Sequence, residues 1–507
     1  MNSNFRIFPF LITAGGLLLA LFLGRLVGES NTRMLAMIFG GIAVICVCLW
    51  LKTRIWLLIP LCWGLTGKIS LLPLPFSVRD LSVLLVTGMF GVLFALKMVR
   101  LKSQTGWLEV LVAINVTYVA SMFIRHPVGT SAFGSVMVGG RPYFDILIAL
   151  ITFLVLRSVT ISPRQARIFP FFLLAGSLMV TVLNLIVRLF PPLVAIIAPL
   201  YSGINVQGYM EAEGYKSAAD PTVKRYGELV GPGSTILQIL CSYFRPLSLL
   251  VPTHPFRTIL FFLGGLGMLY SGFRSSIIAS GFFFLFAAYF QGGTRDLFNS
   301  IFVGISGLVL LLVFQLFVGL PLQAQRALSF IPLIPWNEQA KADADDSSQW
   351  RIDMWKMVLN EKKYINDKVW GDGFGFTAYE LNIMVEADFG GTGFIGGAVQ
   401  EAFMINGTFH SGPLSTIRYA GVVGLILFLA WNFHLSFQAP KLIRLARGTP
   451  YFPATLFLIM PMIYLPLFFI FIFGGYESAF PDLLFTSGLF SMLKNSLIQY
   501  RENLKIA

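Results

Sequence analysis

Charge is scarce in this sequence. Charged side chains make up 12% of its 507 residues, about half the roughly 25% of a soluble domain, and the mean hydropathy is +0.76. A soluble core with a single anchor is thereby excluded. Cysteine is rarer still. Cys46, Cys48, Cys62 and Cys241 all lie inside apolar runs, which argues against a disulfide framework and against a thiolate metal site. No internal repeat is evident, which weighs against an inverted-repeat transporter. Beyond the acidic ADADD at 342–346 there is no low-complexity tract.

What the chain has in abundance is apolar length. Stretches near the roughly 20 residues needed to cross a bilayer fall at 8–24, 34–51, 55–73, 81–96, 107–124, 142–156, 168–189, 234–251, 258–271, 275–290, 297–319, 415–436, 452–473 and 480–497. Residues 191–200 are apolar but too short to span. Lipid-exposed spans are helices or closed barrels, so the pattern predicts an all-α polytopic membrane protein of about 12–14 transmembrane helices. The first run follows a single arginine and has no small-residue cleavage site after it; it reads as an uncleaved span.

The net charge of +13 belongs to orientation and not to nucleic acid. Lys52, Arg54, Lys97, Arg100, Lys102, Arg157, Arg164, Arg167, Lys441, Arg444 and Arg447 fall in connectors of one side, and the positive-inside rule then puts both termini in the cytoplasm. The expected organisation is N-terminal transmembrane helices (1–202), an outer loop (203–233), central helices (234–320), a large outer loop (321–414), and C-terminal helices with a cytoplasmic tail (415–507). The large loop holds 12 of the 24 acidic residues. A connector of that length is expected to be functional.

Three stretches could carry chemistry on this outer face. LYSGFRSSIIAS, residues 269–280, sets Arg274 between a Ser271–Gly272 turn and the opening of a helix; unpaired amides beside a guanidinium make an anion site. QWRIDMWKMVLNEKKYINDKVWGDGFGF, residues 349–376, places Ile352, Trp355, Val358 and Leu359 on one helical face behind Arg351, and the helix then breaks into glycines. In FHSGPLSTIRYAGVVGLILF, residues 409–428, Ser411 or Gly412 can cap a helix whose first turn takes Pro413. That leaves His410 beside a positive helix end, which disfavours the imidazolium, whereas a bound phosphate would push the other way.

Each stretch also has a structural reading. Arg274 could snorkel at a membrane edge, Arg351 could sit on an amphipathic helix packed over the membrane domain, and an interfacial histidine is often structural. Asp343, Asp345 and Asp346 have the spacing of a metal-binding motif but read as a solvated acidic loop. Asn406-Gly-Thr408 is a formal sequon that carries little meaning alone.

Taken in order, the segments resemble the O-antigen ligase and O-antigen polymerase superfamily of bacterial envelope glycosyltransferases. The family pattern is a Ser-Arg-Gly turn before a span, an Arg-led helix followed by a Gly-x-Gly-x-Gly turn, and His-Asn-x-x-Leu leading into a span with Gly-x-x-Gly. Here these stand as SGFRSS with Arg274, RIDMW and GDGFGF with Arg351, Gly371, Gly373 and Gly375, and HSGPL with AGVVG, carrying His410, Leu414, Gly421 and Gly424. VKRYGELVGPGST at 223–235 looks like a further family segment and nominates Arg225. The match covers roughly residues 220–430, with Ser411 where the family has Asn, and Phe273 and Ser275 flanking Arg274.

The resemblance implies a C-type glycosyltransferase-like fold in the bacterial cytoplasmic membrane. It implies transfer of a glycan from undecaprenyl diphosphate to a glycan, lipid or protein acceptor on the outer face, with no metal and no cofactor. Arg274, Arg351 and Arg225 would hold the diphosphate and His410 would activate or steer the acceptor hydroxyl. Ligase, polymerase and protein O-glycosyltransferase differ only in the acceptor. A transporter or flippase of lipid-linked sugars would instead require ionisable residues deep in the spans, where few besides Glu109 and Arg245 are found.

Overall fold

A chain this apolar has to satisfy its backbone hydrogen bonds within its own helices. In the computed structural model 79% of the described residues are helical, and they form no strand, only two isolated bridges. Described are residues 24, 28, 40, 41, 51–69, 76–95, 106–128, 140–204, 223–332, 334–376, 379, 404, 405, 407 and 409–506. The chain divides into two units, Met1–Trp56 and Leu57–Ala507. In the first, the glycines at 24, 28, 40 and 41 are helical; the expected spans 8–24 and 34–51 lie for the rest outside the described residues.

The second unit runs α1 (Val78–Ala95), α2 (Trp107–Arg125), α3 (Arg141–Ser158), α4 (Pro163–Leu189), α5 (Val230–Tyr243), α6 (Pro255–Ser271), α7 (Arg274–Phe317), α8 (Leu322–Leu328), α9 (Glu338–Asn360), α10 (Gly412–Ala446), α11 (Phe452–Ile459), α12 (Pro461–Phe471) and α13 (Tyr476–Ile506). Among the described residues six helical stretches are long and apolar enough to cross a membrane: α1, α2, α4, α7, α10, and α11 with α12 as Phe452–Phe471. This is the architecture of an all-α multi-pass membrane protein.

Two expected spans are corrected. The run 55–73 does not form a spanning helix: its helix stops at Cys62, and the following residues bond sideways, Leu65 O accepting from Arg79 N and Gly67 O from Val78 N. The run 234–251 ends early, because α5 stops at Tyr243 and Pro246 opens a 3-10 turn. The apolar 191–200 is, as expected, too short, with helix only at Pro191–Leu193 and Val194–Ile197.

Small residues set the closest crossings. A Cβ on Gly233 of α5 would lie 3.1 Å from the Gly264 carbonyl oxygen of α6, so these two backbones touch directly, as membrane helices with glycine at their contact do. Along α3, a Cβ on Gly488 of α13 would meet Phe153 Cα and Leu156 Cβ, each at 3.1 Å. Phe428 and Trp431 of α10 close the core against Phe480 of α13.

The heads of α1 and α3 are joined by charge. Arg141 Nη2 donates to Asp80 Oδ2 at 2.6 Å and reaches Asp145 Oδ1 at 2.9 Å, while Arg79 Nη2 donates to Asp145 Oδ1 at 2.8 Å. Trp63, under the Arg79 guanidinium, donates to Asp482 Oδ1 at 2.8 Å and so adds the start of α13. Asp80 is fully buried, and removing one partner of a buried pair leaves the other charge uncompensated, at about 3–5 kcal/mol. Asp80→Ala is therefore expected to lower the thermal unfolding midpoint of the purified protein far more than Asp353→Ala, whose carboxylate is exposed; equal midpoints for the two variants would refute the role given to the network.

Candidate functional site

The turn between α6 and α7 starts the site. α6 ends at Ser271, Gly272 takes the left-handed conformation at φ 75°, as glycine does after a helix, and α7 opens at Arg274. Gly272 O then accepts from Arg326 Nη1 of α8 at 2.8 Å. Arg274 is held from the same side: its Nε donates to Arg326 O at 3.3 Å and its Nη2 to Ser329 Oγ at 3.1 Å. Two donors so used point to a positioned guanidinium, not to one trailing into lipid.

Arg326 itself is buried and ion-paired with Asp343 of α9. The other oxygen of that carboxylate stands 3.6 Å from Arg225 Nη2. Residues 342–346 are thus part of the helix α9 and not a loop, and Asp343 is a buried counter-ion and not a solvated acid. The physical reason is the pair of guanidiniums that receive it. Arg326 did not stand out in the sequence and Asp343 stood out only as part of an acidic run, because nothing local shows that α8 and α9 pack so as to pair them.

Arg351 lies two turns further along α9. Its Nε is buried with no hydrogen-bond partner, and its pKa is pushed below the ordinary arginine value by burial and then by Arg225, Arg326 and Arg274. A buried guanidinium nitrogen with no hydrogen-bond partner, close to three other arginines, is an arrangement that an anion could satisfy. The helix starts at Glu338, and its buried face is Met354 and Val358 with Trp355 partly covered. Ile352 and Leu359, expected on that face, are 44% and 39% exposed. The cluster with Phe409, Met404 and Leu414 sets the rotation.

His410 is brought to the same place. Trp355 Nε1 donates to Phe409 O at 2.8 Å, so α9 grips the residue before the histidine. The imidazole stacks on Phe473 with centroids 5.6 Å apart and meets the edge of Trp350 at 6.1 Å. Its φ of 51° is the one positive value at a non-glycine residue among those described, a conformation that has to be held by its surroundings. Burial first, then Arg351 and Arg225, push the pKa down to about 4. Ser411 is the N-cap of α10, with Pro413 in its first turn, but its hydroxyl makes no capping bond.

The four residues singled out in the sequence, Arg225, Arg274, Arg351 and His410, therefore converge, with Arg326 as a fifth. The glycines do something else. Gly371, Gly373 and Gly375 all have positive φ, and the segment they shape pairs with a break in α10: Asp372 N donates to Arg418 O at 3.0 Å, Gly373 N to Tyr419 O at 2.9 Å, and Val422 N to Lys368 O at 2.9 Å. At the break Gly421 has φ 67°, and a Cβ there would strike the Val369 carbonyl. Arg418 Nη1 closes the joint on Asp372 Oδ2 at 3.1 Å. What these glycines do is shape the joint between the segment and the break. Asn406 and Thr408 lie outside the described residues. Among the described residues no group of three His, Cys, Asp or Glu side chains could hold a metal.

The low His410 pKa has a definite pH consequence. The folded value of about 4 lies below the ordinary 6.5, so the unfolded chain binds the extra proton first. The stability contributed by the neutral ring is complete above pH 6.5 and is lost as the pH falls toward 4. Thermal midpoints measured from pH 7 to 4.5 should fall more steeply for the wild type than for His410→Gln; identical slopes would overturn the assignment. In comparisons with protein-family models and with curated proteins, the chain matches none.

Proposed function

We propose that this protein is a membrane glycosyltransferase that moves a glycan from undecaprenyl diphosphate to an acceptor hydroxyl on the outer face of the bacterial cytoplasmic membrane. The observation that carries the reading is the convergence of Arg225, Arg274 and Arg326 on Arg351, whose Nε is buried and unpartnered, with His410 beside Arg351 and Arg225. In such a transfer the acceptor oxygen bonds to the anomeric carbon, the bond from that carbon to the diphosphate oxygen breaks, and the departing diphosphate keeps the electron pair. Guanidiniums fixed in advance stabilise that charge. The acceptor proton passes to the imidazole.

Binding the diphosphate also prepares the base. A histidine with a pKa of about 4 is a weak proton acceptor, held there by burial and by the charges of Arg351 and Arg225. A dianion among those guanidiniums cancels the repulsion and raises the value toward neutrality. The base is thus strongest when the donor is in place.

A transporter or flippase is favoured by one observation, the buried charges Arg79, Asp80 and Arg141 with the partly buried Asp145. These pair with one another at helix heads, which suits a structural clamp better than an ion path. Ligase and polymerase activities share the same donor chemistry, and the acceptor distinguishes them.

The test is transfer by the purified protein from an undecaprenyl-diphosphate glycan to added acceptors, in EDTA. His410→Ala is expected to lower kcat by about 10²–10⁴, the usual worth of a general base, and Arg351→Ala by about 10²–10³, as for a lost charge-stabilising donor. Full transfer by both variants would sink the assignment. Movement of the glycan lipid across proteoliposomes, with no transfer to any acceptor, would replace it by the transporter.

A further inference from the structure

A second arginine-lined space lies at the opposite end of α10 from His410. It is a cavity of about 210 Å³ between α7, the end of α10 and the start of α11, with Gly293, Thr294, Arg444, Arg447, Phe290 and Phe452 among its walls. It exists because α7 is not continuous. At Gly293 the backbone leaves the helix, with φ 80° and ψ −162°, and the chain resumes from Thr294 at an offset that opens the space.

The walls divide into two chemistries. Arg444 and Arg447 stand on one side, and no carboxylate lines the cavity. Asp296, two residues past Thr294, folds its carboxylate back over Gly292. Nearby Arg501 donates to Leu445 O at 2.6 Å and Lys441 is exposed, so further basic side chains stand near the cavity. The other side is apolar: Phe290 is buried, as is Ile443. From the break, Phe298, Phe302 and Ile305 continue along one face of α7 and are 68%, 72% and 58% exposed. An anion alone would use the guanidiniums and leave the aromatic walls and this apolar track unused. A molecule with a phosphate at one end and a hydrocarbon chain at the other uses both, and basic pockets between membrane helices take acidic lipid headgroups in this way.

We propose that this cavity binds the phosphate headgroup of an anionic phospholipid, held by Arg444 and Arg447, with an acyl chain lying along Phe298, Phe302 and Ile305 of α7. The inference rests on the cavity and the helix break and not on glycan transfer, so either stands if the other fails.

The experiment uses the purified full chain in detergent and reads its thermal midpoint during titration with phosphatidylglycerol, phosphatidylcholine or inorganic phosphate. Ligands of the folded state raise the midpoint. Phosphatidylglycerol is expected to raise it, and the other two to leave it unchanged. In Arg444→Gln/Arg447→Gln the apparent affinity should drop roughly thirtyfold, at about a factor of five per basic residue lost. An equal response to phosphatidylcholine, a full response to inorganic phosphate alone, or an unchanged response in the double variant would each overturn the proposal. Should the double variant fail to fold, wild-type protein crosslinked to a photoactivatable phosphatidylglycerol gives the answer. Crosslinks within 289–305 and 443–452 support the site, and their absence there refutes it.

Discussion

A helix that breaks in mid-course frees backbone groups that lipid cannot satisfy, and the arrangement of the arginine-lined end of this protein follows from where one such break finds its partners. At Gly421 the carbonyls and amides of α10 are taken up by residues 368–373, by Tyr118 Oη, which donates to Ala420 O at 2.7 Å, and by the Asp372–Arg418 pair. The long segment after α8 is therefore not a free loop. Its far side is stitched into a membrane helix, and that stitch returns α9 to the mouth of α10. His410, at the mouth, and Arg351, on α9, meet because both ends of the connection are fixed.

Electrostatics then decides what the meeting place can do. Asp343 does not serve the four guanidiniums alike: Arg326 is ion-paired with one of its oxygens, Arg225 lies 3.6 Å from the other, Arg274 bonds a carbonyl and a hydroxyl, and Arg351 Nε is buried without a hydrogen-bond partner. Positive charges held at close range in a half-buried site repel one another. They tolerate it because the scaffold is anchored elsewhere, by the Trp355–Phe409 bond and by the apolar cluster beneath. Repulsion from Arg351 and Arg225 adds to burial in lowering the histidine's pKa, and an anion of the kind proposed would relieve it.

Local signals were readable in the chain. Ser271–Gly272 before Arg274 announced a turn because glycine alone takes a left-handed φ cheaply, and Ser-Gly-Pro after His410 announced a helix start. The glycines of 371–375 were legible as a break, though not as the partner of Gly421, since only the fold brings the two together. Arg326 and Asp343 were hidden for a similar reason: a buried ion pair between two helices leaves no period in the sequence. The face of α9 was only partly misjudged: Trp355 and Val358 lie on the covered side as expected, but Met354 is buried where Ile352 and Leu359 were expected, because the rotation is set by Phe409 and Met404, which come from elsewhere in the chain. The run 55–73 was apolar enough to span, but Gly67 and the paired residues around it fold it back.

The direct backbone contact between Gly233 and Gly264 bears on how the protein is assembled. α5 and α6 are neighbours in the chain, and their closest contact needs no third element. Such a hairpin can close as soon as its second arm has entered the bilayer, since the loop entropy to be overcome is small. The stitch at Gly421 has to wait: it joins α10 to a segment about fifty residues upstream, and its acceptors exist only once the first half of α10 has formed. Synthesis thus delivers the lipid-embedded hairpin early and the arginine-lined mouth late.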